Sequence, residues 1–147
     1  MADLDSDAPD LAALVRRADP VCQRQLGRAA AIAALSAFGV DDPRVAAARG
    51  ALDEGRFGSS AEAGDLEHLV MELDIEAWRH QAAGADQEYE RWFERARAVS
   101  SLLAALREDS AEAAYYAAYE ALAALEDPPA LRRVLLATQT SDLVCDD

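Results

Sequence analysis

The chain has 147 residues and carries 28 Asp or Glu against 14 cationic side chains, all of them Arg, for a net charge of −14 at pH 7. That length fits one domain, 1–147, and the acid excess argues against nucleic-acid binding, which depends on neutralising phosphates. No apolar run approaches the ~18 residues of a membrane span, and the acidic start Met1 to Asp10 is the opposite of a signal peptide's basic region, so a soluble, cytoplasmic protein without a membrane partner is expected.

Ala supplies 35 residues while Ile occurs only at Ile32 and Ile75. The best helix former is abundant and the strand formers are sparse, so the expected class is all-α, a compact bundle of about six or seven antiparallel helices. The absence of Lys and Asn, whose codons are A-rich, beside plentiful Ala, Arg and Gly points to the coding bias of a G+C-rich bacterial genome.

In chain order, residues 1–8 read as a flexible end, and Pro9 to Ala18 as a short amphipathic helix offering Leu11, Leu14 and Val15. Asp19-Pro20 opens a long helix to Phe38, with Gly39 placed to end it, because Asp caps a helix and Pro costs nothing at its first position. Asp42-Pro43 opens a shorter one to Glu54. Phe57 to Ser60 reads as a loop, and Ser59 with Glu62 has capping-box spacing for a helix running to Ala83. Its apolar residues Leu66, Leu69, Val70, Leu73 and Ala77 lie three or four apart. Asp86 to Arg107 repeats that pattern, so these two helices are expected to form the central hairpin, with Trp78, Tyr89, Trp92 and Phe93 as its aromatic core. Ser110 to Leu125 and Pro128 to Ala137 complete the helices, before a loose tail at 138–147. The segments ending Ala33 to Phe38 and Glu120 to Leu125 both precede Asp-Pro, which makes HEAT-like helical hairpins the alternative architecture. Cys22 in a helix and Cys145 in the tail are too few and too dissimilar for a disulfide framework, and no bridge between them is expected.

The charge is unevenly placed. Residues 51–127 hold 18 acids against six Arg, whereas Arg16, Arg17, Arg24 and Arg28 make the first helices basic. A charged helical side is often merely solvated. Here the acids lie beside Tyr115, Tyr116 and Tyr119, a mixture suited to an Arg/Lys-rich protein partner. The expected activity is therefore non-enzymatic: an acidic helical face formed by Glu72, Glu76, Glu112, Tyr116 and Glu120 binds a basic protein, as immunity, antitoxin or adaptor proteins do. Homo-oligomers through opposite charge are a further option.

Catalytic motifs are missing. There is no Gly-x-Ser-x-Gly elbow and no phosphate-binding Gly loop, so no catalytic residue is nominated and no cofactor is expected. His68, Glu72, Glu76 and His80 follow one another at i+4, and neighbours at that spacing can share a metal. The row spans about 18 Å, so at most one adjacent pair serves one ion. These four carry the alternative reading, a small-ligand- or metal-binding helical bundle with enzymatic activity.

Overall fold

A computed structural model describes residues 3–141, among which lie eight α-helices and no strand. They are α1 (Leu4–Asp7), α2 (Pro9–Arg17), α3 (Pro20–Phe38), α4 (Pro43–Asp53), α5 (Ala61–Ala82), α6 (Asp86–Ala105), α7 (Ser110–Leu125) and α8 (Pro128–Ser141). The Asp-Pro pairs punctuate the fold as expected. Asp19 accepts from the Cys22 N–H and Asp42 from the Arg44 N–H, each at 2.8 Å, and Asp127 accepts from the Ala130 N–H at 3.1 Å. α3 ends on Gly39 at φ 57° and α7 on Glu126 at φ 53°. The left-handed conformation costs a side-chain-bearing residue about 1 kcal/mol, so the Glu126 turn is held by the helices on either side of it. The cap of α5 is Ser60 rather than Ser59, its hydroxyl accepting from the Ala63 N–H at 3.1 Å.

α6 lies at the centre and packs on α3, α5, α7 and α4, while α3 packs on α7, α6 and α8. Small residues allow this density. Gly27, Ala30, Ala31 and Ala34 of α3 and Ala113, Ala114, Ala117, Ala118 and Ala121 of α7 are buried. A Cβ placed on Gly27 would lie 3.4 Å from the Ala114 Cα, so the two backbones come close enough to leave room for no more than a methyl group between them. Bulk comes from Leu26, Leu66, Leu102, Leu106, Leu131 and Leu135, all fully buried. Each contributes about 1.5–3 kcal/mol of apolar transfer. The two buried polar side chains are satisfied: Ser101 donates to the Ala117 carbonyl at 2.7 Å, and Gln23 donates to the Val15 carbonyl at 3.2 Å and accepts from the Ser110 hydroxyl at 2.8 Å.

Several expectations are corrected. Of the helices joined by Asp-Pro turns, α7 and α8 pack on each other, whereas α3 packs mainly on α6, α7 and α8 and α4 mainly on α5 and α6, so the two turns do not build a repeated HEAT-like hairpin. α5 and α6 do form the expected hairpin, the most extensive helix pair of the fold, but only α6 is central: α5 has α4 as its one other substantial neighbour and sits at the edge of the bundle. Trp78 is accordingly no core residue and is 61% exposed, since it lies on the side of α5 turned away from Leu66, Leu69, Leu73 and Ala77. Trp92 is half-buried and stacks on His80, their ring centroids 6.2 Å apart. Residues 3–8 are bound in place rather than loose. Leu4 is buried, Asp3 caps α1, and the Asp5 carboxylate receives the Arg16 guanidinium and the Tyr115 hydroxyl, the latter at 2.8 Å. α8 continues past Ala137. Cys22 is buried in the first turn of α3; Cys145 and the rest of the expected tail from 142 on lie outside the described residues, and with them the expectation about a Cys22–Cys145 bridge.

Candidate functional site

The end of α6, the start of α7 and the loop before α5 meet around a recess of about 760 Å³. Its floor is fixed from behind by Arg24 of α3. That guanidinium donates to the carbonyls of Arg107, at 2.6 Å, and Glu108, with a longer bond to Ala105 at 3.4 Å, and lies 3.6 Å from the centre of the Phe57 ring. Its two short bonds fix the α6–α7 loop just past the end of α6, and the long one reaches the last carbonyl of the helix, where a cation suits the helix dipole. Burial lowers the Arg24 pKa from its ordinary value, and the charge of Asp109 opposes that shift. The loop is tied to the same helix end. Gly58, at φ 88°, donates its N–H to the Leu106 carbonyl at 2.8 Å, a conformation that a Cβ would strain. Asp109 then caps α7 by accepting from the Glu112 N–H at 2.9 Å.

Ala63, Leu103 and Leu106 give the recess an apolar wall, and Glu67, Glu108, Asp109 and Glu112 give it a carboxylate rim. Ion pairs elsewhere use other acids; among the described residues none of these four is in one. One turn along α7 from Glu112, Tyr116 is exposed, with the Arg107 guanidinium 4.2 Å from its ring centre and Tyr115 edge-on at 5.0 Å. Arg107, which also lines the recess, is its one cation. Such a cleft can hold an alkyl-ammonium or guanidinium side chain, stem against Leu and head among carboxylates.

The five residues expected to form one face are divided by the fold. Glu112 and Tyr116 are exposed neighbours beside the recess. Glu72 is exposed on α5 but is held with Asp42 by Arg44, and that guanidinium, by hydrogen bonding to each, lowers both carboxyl pKa values. Glu76 pairs with Arg79 at 2.8 Å. Glu120 points inward: Arg97 of α6 bridges it, at 3.0 Å, to Asp74 of α5, where both oxygens accept at 3.0 Å. Burial raises the Glu120 pKa against the pull of Arg97. The Arg97 Nε is buried without a hydrogen-bond partner, which leaves this linkage with one unmet donor.

The four metal candidates do not converge. Glu72 turns to Arg44, Glu76 to Arg79, and His80 stacks on Trp92 with its Nε2 4.0 Å from Glu76, while His68 is exposed on α5. Among the described residues no three His, Cys, Asp or Glu side chains come together as a metal site would require. Glu67, Glu108 and Asp109 are the recess residues that the proposed face omitted. Their acid density was visible, but only the Gly58 turn and the Arg24 clamp bring α5 and α7 acids to one rim. Compared with known proteins, the chain matches no family model, no curated protein and no solved structure.

Proposed function

We propose that the chain is a non-enzymatic binding module whose acid-rimmed recess receives Arg or Lys side chains of a basic protein partner, in the manner of an immunity, antitoxin or adaptor protein. One observation carries the reading. Four carboxylates, none in an ion pair, gather around one apolar-walled cleft; among the described residues eleven other acids are matched to Arg, and it is this gathering, rather than the lack of a pair alone, that sets the rim apart. An incoming guanidinium there gains charge-assisted hydrogen bonds, worth about 1.5–3 kcal/mol each, and its stem covers Leu103 and Leu106. The contact residues are Glu67, Glu108 and Glu112, with Tyr116 as an aromatic neighbour.

Calorimetric titration with hexa-arginine tests this at two salt concentrations. The proposal expects binding that weakens with salt and falls at least tenfold in an E108Q/E112Q variant. Equal binding by that variant, or no binding at low salt, would refute it. Asp109 is left intact in this test because it caps α7.

A further inference from the structure

α5 carries two apolar stripes. The inner one, Leu66, Leu69, Leu73 and Ala77, is buried; the outer one, Met71, Ile75 and Trp78, is exposed at 56%, 46% and 61%. Positions i, i+4 and i+7 fall on one side of a helix, so these three large side chains form one ridge about two turns long. Their exposure leaves the ridge open to solvent, and the substantial packing of α5 is on α6 and α4. Singly exposed apolar residues need no explanation, whereas a contiguous row of them does.

What borders the ridge selects its occupant. At 100° per residue, Glu67 and Asp74 border the ridge beside Trp78; on the other side His68 and Arg79 come first, with Glu72, Asp65 and Glu76 just beyond them, so five acids flank the ridge against one Arg and one His. Asp74 is occupied by Arg97, Glu72 by Arg44 and Glu76 by Arg79; Asp65 and Glu67 are in no ion pair. A second copy laid α5 against α5 would bring two such acidic borders together in a chain of net charge −14. An anionic lipid surface would be repelled in the same way. We propose that the outer side of α5 docks an amphipathic helix of a partner protein, its apolar side on Met71, Ile75 and Trp78 and its borders bearing Lys or Arg. Glu67 both lines the recess and borders the ridge, so the two surfaces are continuous. The inference thus rests on the acidic-recess reading and specifies the partner as a helix with basic margins.

The probe is an 18-residue Leu/Lys peptide with helical apolar spacing, compared with a scrambled peptide of identical composition. In a W92F background Trp78 is the sole indole. The helical peptide is expected to shift Trp78 emission to the blue, to shield it from acrylamide, and to bind at least tenfold more tightly than the scrambled one. Anisotropy of the labelled peptide, read in the native-Trp chain, should show an M71Q/I75Q variant weakened at least tenfold with unchanged circular dichroism. Equal binding of both peptides, or an unaffected M71Q/I75Q variant, overturns docking on the ridge. If hexa-arginine still distinguishes E108Q/E112Q from the parent, only the ridge proposal has failed. Concentration-dependent dimers abolished by M71Q/I75Q, or a larger Trp78 shift on anionic phosphatidylserine vesicles than on peptide, would equally overturn it by naming another occupant.

Discussion

α7 and α5 both pack on α6, yet one is walled in and the other stands at the edge. α7 meets α3, α6, α2 and α8, and its sequence is correspondingly small: seven of its buried positions include six Ala. α5 meets two helices and buries a Leu stripe on one side, leaving its large outer residues in solvent. Close approach from several directions demands small side chains, whereas a helix packed on one side is fixed by bulk at three- and four-residue spacing. The central helices therefore bear the fold, and the outer side of α5 with the recess beside it is left open to solvent.

Substitutions should grade along that contrast. The largest loss is expected for Leu102→Ala in α6, where the side chain is 0% exposed; thermal or urea unfolding should show about 2–5 kcal/mol of destabilisation. Next comes Arg97→Met, which leaves Asp74 and Glu120 near one another without their shared cation. With these groups about a fifth exposed, a loss on the order of 2 kcal/mol is expected in urea unfolding. Smaller again is Arg24→Met, which removes the clamp on the carbonyls of the α6–α7 loop at a cost of about 1–2 kcal/mol by the same measurement. Trp78→Gln should change stability by no more than about 0.5 kcal/mol, and a loss comparable to that of Leu102→Ala would erase the distinction between the two regions.

Glu120 also separates interior from surface by pH. Its folded pKa is raised above the ordinary 4.5 by burial, so the folded chain holds that proton more tightly than the unfolded chain. The resulting stability is present below 4.5 and is lost as pH rises through the folded value. Glu120→Gln should remove that loss: its melting temperature relative to the parent should climb as pH rises above 4.5 and converge toward the parent in acid. Asp5, Asp42 and Glu72 have the opposite sign, their pKa values lowered by Arg16 or Arg44. Their stability is present above the ordinary carboxylate values and is lost as pH falls, so the parent itself should weaken in acid.

Helix starts, stops and inner stripes are legible in the sequence because their chemistry is local. Asp-Pro starts, the Gly39 stop and the inner α5 stripe all depend on neighbours within a turn or two. Trp78 was misplaced because size and hydrophobicity carry no direction; Met71, Ile75 and Trp78 have helical spacing as regular as the Leu stripe, and only tertiary packing decides which side is covered. The residues expected to form one acidic face are parted for a similar reason. Glu120 and Tyr116 are four residues apart on α7, yet one reaches inward to Arg97 and the other lies out over Arg107. The recess joins Glu67 to Glu112 across a loop, and no pattern along the chain encodes that distance.

Mapping amide NMR shifts during a hexa-arginine titration tests the central claim most directly. The account predicts salt-sensitive shifts centred on Gly58, Ser59, Glu67, Glu108 and Glu112, with little change at α2 and α8. Shifts spread evenly over all acidic helices, or centred on Glu90, Glu94 and Glu126 instead, would contradict it.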